Sequence, residues 1–235
     1  MARRGAAPIL GLLVLLLGAC PGRAGAEERH YVVVFGAQPS PKIIRDSHTW
    51  ATFVRTVGEG PDPAGYQVFA HTISFVPAAL RVRTLALDAE PGMNLDLEGS
   101  LAYCRDRNAA VTAWGPFLIR PDLYRRSLET YALVSNGTVR YRAIDTLANR
   151  LVSDCIHAVT AVDSKFGRGH YPLIRTGKGA SRYIAGQIAT RTDPDFANPD
   201  QPWLLSSLGL GRHPVEIILP CQVHRRRGIL APRPD

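Results

Sequence analysis

The chain has 235 residues, a length that suits one domain, or one domain with a long insertion. Its formal net charge is +8, but no aromatic-interleaved basic stripe or nucleic-acid motif accompanies that charge, which excludes nucleic acid from the expected partners. The four cysteines form no CxxC motif or paired Cys/His spacing that would predict zinc, and neither a metal nor an organic cofactor is expected.

The first 26 residues have the pattern of a cleavable signal peptide. Two charges, Arg3 and Arg4, precede an apolar run over residues 9–17 that is too short to cross a bilayer as a helix, which needs about 20 apolar residues. The segment Ala24-Gly25-Ala26 fits the small-x-small rule for cleavage. We therefore expect the protein to be exported and to work in the periplasm, the cell envelope or the medium.

A second interpretation of this leader involves Cys20. Residues 17–20 resemble a bacterial lipobox, in which the cysteine is lipidated and attaches the protein to a membrane. Cleavage after Ala26 instead leaves 209 residues, which we divide into a single domain over 27–224 and a basic flexible tail over 225–235. Loss of the three leader arginines lowers the formal net charge from +8 to +5. A mildly basic exported domain suits acidic glycans, lipid headgroups or an anionic envelope.

The first half of the mature chain predicts β-strands. A short β-rich run covers Tyr31–Phe35, and strands are predicted at His48–Arg55 and Gln67–Val76. Between these last two, residues 58–65 contain three glycines and two prolines, which is typical of a turn or loop. The two strands are therefore predicted to form a hairpin.

Two helices are predicted in the middle of the chain. Asn94 can cap a helix over Asn94–Asn108, and the acidic residues after it suit a first turn. Pro121 and the Asn136-Gly137 pair suit the ends of a helix over Pro121–Ser135. Helical spacing gives that second helix an inward face of Tyr124, Leu128, Tyr131 and Ala132.

The C-terminal part mixes both kinds of element. Strands are predicted at Thr138–Ile144 and Val215–Leu219, and a short helix covers Ser181–Arg191. The Gly-Lys-Gly-Ala-Ser segment at 177–181 fails the Walker spacing and is predicted to be a surface loop. Residues 193–202 have the composition of a linker. This mixture of strands and helices, with several antiparallel pairs, predicts the α+β class.

Three side chains point to thiol chemistry: Cys155, His48 and His71. Ser153 or Asp154 can cap a helix that opens at Cys155, which would place the sulfur at the positive end of the helix dipole. His48 on one strand of the hairpin can accept the thiol proton, and His71 on the next strand can fix the tautomer of His48.

Two alternatives for Cys155 stay open. Its spacing also fits one continuous amphipathic helix, in which it would be a buried filler, together with Leu147, Leu151 and Val159. Outside the leader the chain has an odd number of cysteines, so a disulfide between two of them would leave one free thiol. These cysteines are Cys104, Cys155 and Cys221.

Two segments resemble motifs of the circularly permuted papain-like proteins, the group that includes lecithin:retinol acyltransferase-like proteins and bacterial NlpC/P60-type enzymes. Residues 47–54 resemble the His-Trp-Ala strand of that group, and residues 154–158 resemble its Asn-Cys-Glu-His-Phe box, in the order expected for the permuted branch. The resemblance implies a papain-like α+β fold, with an antiparallel sheet packed against helices. It also implies that His48 is the base, His71 its polar partner and Cys155 the nucleophile.

The two segments depart from the family pattern at several positions. An extra residue, Thr49, precedes Trp50, while Asp154 replaces Asn, Ile156 replaces Glu and Ala158 replaces Phe. These differences bear on substrate and activity more than on the fold.

We expect an exported cysteine-dependent hydrolase or acyltransferase that acts on an amide or ester through a Cys–His pair. Its substrate would be a cell-wall peptide, an isopeptide, a glycopeptide or a lipid, and Trp50 and Trp114 are the candidate substrate-binding residues. The alternative is a non-catalytic envelope protein on the same scaffold, with a binding or a structural role.

Overall fold

The computed structural model describes residues 26–60, 62–144, 149, 151–163, 176–191 and 201–223. The predicted leader, apart from Ala26, and the tail at 225–235 lie outside these residues, as does most of the predicted linker. The strands are β1 (Glu27–Pro39), β2 (His48–Gly58), β3 (Gln67–Ile73), β4 (Phe75–Pro77), β5 (Glu90–Asn94), β6 (Ala109–Ile119), β7 (Arg140–Tyr141), β8 (Val152–Ser153) and β9 (Val215–Ile218). The α-helices are α1 (Leu97–Arg105), α2 (Pro121–Ser135), α3 (Cys155–Thr160), α4 (Gly177–Arg191) and α5 (Pro202–Ser207).

The strands form two mixed sheets, which together with the helices confirms the predicted α+β class. The larger sheet has the order β3-β2-β1-β6-β9 and is antiparallel except for the β6–β9 pair. The smaller sheet has the order β4-β5-β7-β8 and is parallel only between β7 and β8. In the described ranges, no helix has the length and apolar composition of a membrane span.

The central strand β1 is buried on both faces. Val32 and Val34 pack with residues of α2, α3 and α4, whereas Val33 and Phe35 pack with residues of α1 and α5. Successive side chains of a strand point to opposite faces, so a strand covered on both sides needs a continuous apolar run. The predicted strand Tyr31–Phe35 is therefore only the middle of a longer strand.

The predicted hairpin is confirmed, because β2 and β3 pair in antiparallel fashion. The predicted strand Gln67–Val76 is nevertheless interrupted at Ser74, where the chain leaves the larger sheet and continues as β4 in the smaller one. At this break, the Asn94 side chain forms the hydrogen bonds that the backbone of a neighbouring strand would otherwise form. It accepts a hydrogen bond from the Ser74 N–H and donates one to the Thr72 carbonyl, both at 2.8 Å.

Helix α1 is shorter than the predicted Asn94–Asn108 helix. Its cap is Asp96, whose carboxylate accepts a hydrogen bond from the Gly99 N–H at 2.7 Å. Asn94 cannot serve as the cap because it belongs to β5 and bridges the break in the sheet. A side-chain cap is therefore present at the start of α1 as predicted, but Asp96 supplies it and Asn94 does not.

Helix α2 has the predicted bounds, Pro121–Ser135, but a different buried face. Its buried side chains are Tyr124, Ser127 and Val134, whereas Leu128 and Tyr131 remain 44% and 38% exposed. The polar Ser127 is turned inward because its hydroxyl forms a hydrogen bond with the His71 ring on β3.

The C-terminal elements differ from prediction in their bounds. The predicted strand Thr138–Ile144 is reduced to β7, a two-residue strand. Helix α4 begins at Gly177, so residues 177–181 form its first turn and are not a surface loop. The predicted last strand is confirmed as β9.

Candidate functional site

Cys155 is the first residue of α3, as the sequence predicted. The carboxylate of Asp154 caps the helix by accepting hydrogen bonds from the N–H groups of Ile156 and His157, both at 2.7 Å. The other carboxylate oxygen lies 3.1 Å from Nδ1 of His157. Asp154 thus fixes the first turn of the helix that carries the thiol, and it also engages the neighbouring histidine.

The Cys155 sulfur lies beside the beginning of β2. The backbone N–H groups of Thr49, Cys155 and Ile156 are near enough to the sulfur to favour the thiolate. Burial opposes them as the largest effect and, with the negative charge of Asp154, raises the pKa of the Cys155 thiol to about 12. The thiol is therefore neutral near pH 7 in this structure.

His48 is the first residue of β2 and is 2% exposed. Its Nε2 forms a 2.8 Å hydrogen bond with the Ser74 hydroxyl, at the point where the chain changes sheets. Its ring stacks on Trp50 with centroids 5.3 Å apart and meets the Tyr103 ring edge-on at 5.5 Å. Burial, and secondarily the charge of Arg107, lowers the pKa of His48 to about 3, so the imidazole is neutral near pH 7.

Two tyrosines are influenced by the charge of the thiol, and one of them also contacts His48. Burial is the largest of the effects that raise the pKa of Tyr103 to about 12. The charge of Arg107 opposes this rise, and an ionised Cys155 adds to it. Tyr141 has a pKa raised well above its usual value, by burial first and then by the same cysteine. Tyr103 therefore lies within electrostatic range of Cys155 while its ring contacts His48. His48 is buried, Cys155 is partly exposed, and both groups are neutral near pH 7.

The structure does not bring His71 to this site. His71 pairs with Phe53 on β2 and stacks on it with centroids 5.5 Å apart, so it lies on the face of the sheet opposite to His48. Phe53 is five residues along β2 from His48, which corresponds to about 16 Å of strand. The predicted role of His71 as the polar partner of His48 is wrong, because Ser74 occupies that position.

The two predicted substrate-binding tryptophans are core residues. Trp50 is 0% exposed and stacks between Phe35 and His48, and Trp114 is 1% exposed and donates a hydrogen bond from Nε1 to the Ser181 hydroxyl at 3.0 Å. Each packs in one of the two clusters on opposite faces of the larger sheet. Neither side chain is available to line an open groove, so this prediction is wrong.

Among the described residues, Cys104, Cys155 and Cys221 form no disulfide. Cys104 is buried behind the sheet, where burial raises its pKa to about 12, whereas Cys221 is exposed. Cys155 lies at a helix start, which rules out the continuous helix considered from its spacing. Over the described part of the chain, no group of three or more histidine, cysteine or acidic side chains is arranged to hold a metal ion.

Three residues of the site could not be identified from the sequence: Ser74, Tyr103 and Arg107. Each comes from a different segment and acts through a contact made only in the folded chain, so no local motif marks it. The chain as a whole matches no protein-family model, no curated protein and no solved structure.

Proposed function

We propose that this protein is a cysteine-dependent hydrolase or acyltransferase of the papain-like type, with Cys155 as nucleophile and His48 as base. The observation that supports it is the position of Cys155 at the start of α3, with its sulfur near the N–H of Thr49, the residue directly after His48. Acyl transfer by a thiol requires a group that accepts its proton, and we assign this role to the His48 imidazole. Export through the leader, with or without a lipid on Cys20, is part of the proposal.

The reaction starts from a neutral pair. His48 accepts the thiol proton as the sulfur attacks the carbonyl carbon of the substrate, and Ser74 holds the imidazole in place. The N–H groups of Cys155 and Ile156, at the start of α3, stabilise the oxyanion. The protonated His48 then gives its proton to the leaving alcohol or amine, and water or an acyl acceptor releases the acyl group from Cys155.

The substrate is an amide or ester found where the exported protein works: a cell-wall peptide, an isopeptide, a glycopeptide or a lipid. All of these compounds contain a carbonyl carbon that a thiol can attack. They differ in the groups attached to that amide or ester. The mechanism uses only side chains and backbone groups of this chain.

One observation favours a second function, a non-catalytic binding protein on the same scaffold. The pKa of Cys155 is raised and that of His48 is lowered, both mainly by burial, and both shifts oppose a thiolate–imidazolium pair. A site that keeps both groups neutral can bind a peptide, glycan or lipid without turning it over.

Acylation by p-nitrophenyl acetate tests the enzyme. All proteins in this test carry Cys221→Ala, so that acylation of the exposed Cys221 does not obscure acylation of Cys155. We expect a burst of p-nitrophenol and an acetyl group on Cys155, detected by peptide mass spectrometry. Cys155→Ala should abolish both, and His48→Gln should slow the burst by about 100-fold or more.

Two matched serine variants separate catalysis from folding. Ser74→Ala removes the hydroxyl that contacts His48, and Ser127→Ala removes the corresponding hydroxyl that contacts His71, each at 2.8 Å. We expect the first to slow acylation by about five- to tenfold and the second to leave it unchanged. The enzyme proposal would be contradicted if His48→Gln, Ser74→Ala and Ser127→Ala all acylated at the same rate. It would also be contradicted if the parent formed no acetyl group on Cys155.

A further inference from the structure

Three loops bring arginines together around one small cavity. Arg45 lies in the turn before β2, Arg81 follows β4, and Arg107 follows α1, and together with Asp46 they line a cavity of about 250 Å³. The rest of the lining comes from Leu80 and Val82. Three guanidinium groups and one carboxylate leave this cavity with an excess of positive charge.

The charges of this cavity are incompletely balanced by the protein. Asp46 lies 3.8 Å from Arg45, between Oδ2 and Nε. Arg107 donates hydrogen bonds to the carbonyl oxygens of Tyr103 and Leu80, which are neutral acceptors. Those two bonds fix the position of the guanidinium without cancelling its charge. A guanidinium can also donate two parallel hydrogen bonds to a pair of oxygens of a carboxylate or a phosphate.

The cavity is connected to the site through a single ring. The Arg107 guanidinium lies over the Tyr103 ring, 3.5 Å from its centroid, and the same ring meets His48 edge-on. A group bound at Arg107 is thus one aromatic side chain away from the imidazole.

We propose that this arginine cavity binds an anionic group of the substrate, a carboxylate or a phosphate, while the scissile carbonyl lies at Cys155. The proposal rests on the proposed function, because it assigns the second end of the same substrate. Binding of an anion in this cavity would also change the basicity of His48. The charge of Arg107 contributes to the low pKa of His48, so an anion that offsets this charge makes the imidazole a stronger base when substrate is present.

Binding is tested first, with the Cys155→Ala protein so that no turnover occurs. Inorganic phosphate and acetate are titrated separately at constant ionic strength, and the arginine Nε–H signals are followed by NMR. We expect saturable shifts of the Arg81 and Arg107 signals, and the tighter of the two anions identifies the group. Arg81→Gln should weaken binding by about tenfold, the loss expected for one charge-assisted hydrogen bond.

Arg83→Gln is the matched control. It removes the same charge two residues along the chain, but Arg83 pairs with Glu90 at 3.2 Å and does not line the cavity. We expect unchanged binding. Shifts that do not saturate, or equal weakening by Arg81→Gln and Arg83→Gln, would overturn the anion site.

Acylation then tests whether the anion belongs to the substrate. The monosuccinate ester of p-nitrophenol carries a free carboxylate, and p-nitrophenyl acetate does not. We expect the parent to prefer the succinate ester in kcat/KM, and Arg81→Gln, but not Arg83→Gln, to lower that preference by about tenfold. Anion binding without any acyl-enzyme would refute the proposed function and leave the site standing, whereas acyl-enzyme formation without preference for the anionic ester would refute the substrate role of the cavity.

Discussion

At the scale of single residues, Asp154 acts on the Cys155 thiol in two opposed ways. Its carboxylate caps α3 and so positions the thiol at the start of that helix. Its negative charge, however, adds to the effect of burial and raises the pKa of the thiol. Asparagine, the residue of the resembling family motif, would keep the first effect and remove the second.

The Asp154→Asn variant should therefore be more reactive without being much less stable. Asparagine caps helices about as well as aspartate, so we expect the free energy of unfolding to change by less than about 1 kcal/mol. Iodoacetamide labelling of Cys155 at pH 8, in the Cys221→Ala background, should accelerate on the order of tenfold, which corresponds to one pKa unit. Asp96→Asn, which makes the same change at the cap of α1, should leave the rate unchanged. A labelling rate unaffected by Asp154→Asn would show that its charge does not control the thiol.

At the scale of elements, the position of α4 depends on a glycine in β1. A side chain at Gly36 would collide with Ser181 and would lie 2.7 Å from the Gly177 carbonyl oxygen, both in the first turn of α4. The same turn anchors β2, because the Thr49 hydroxyl donates to the Gly177 carbonyl at 3.3 Å. The missing Cβ of Gly36 thus allows α4 to pack directly on the strands that carry the site.

Gly36→Ala should lower the free energy of unfolding by about 1–3 kcal/mol, the usual cost of overpacking a core. Gly179→Ala is the control in the same turn of α4, where an added Cβ would meet nothing within 4 Å. It should stabilise the protein by about 0.5–1 kcal/mol, because alanine has the higher helix propensity. Urea unfolding of the three proteins measures both changes. A Gly36→Ala protein as stable as the parent would mean that α4 does not pack on β1 in this way.

The elements also show what the sequence could and could not predict. The start of α3 and both ends of α2 were predictable because capping residues and proline act locally. The partner of His48 was not, because it depends on how distant segments meet in the folded chain. The pairing of Phe53 with His71 places His71 on the face of the sheet opposite to His48, and Ser74 reaches His48 at the point where the chain leaves β3 for the smaller sheet. The contacts of Tyr103 and Arg107 were unpredictable for the same reason, since they depend on the packing of α1.

At the scale of the whole molecule, buried histidines make stability depend on pH. Burial lowers the pKa of His48 to about 3 and that of His71 to about 4, and it also lowers the pKa of His30. In the unfolded chain each would titrate near about 6.5. Below that pH the unfolded chain takes up protons that the folded protein does not, so the folded state loses relative stability.

We therefore expect full stability above about pH 6.5 and a progressive loss as the pH falls toward 4. His48, the most deeply buried of the three rings, should lower the free energy of unfolding by at most about 1.4 kcal/mol for each unit that the pH falls. Urea unfolding at intervals between pH 7.5 and 5 measures this slope, and His48→Gln should reduce it by about that amount. Ser74→Ala removes the partner of the ring but not the ring itself, so it should lower the stability at every pH and keep the slope of the parent. Equal slopes in the parent and in His48→Gln would mean that His48 becomes protonated inside the folded protein, and the imidazole would then not be the neutral base on which acyl transfer by Cys155 depends.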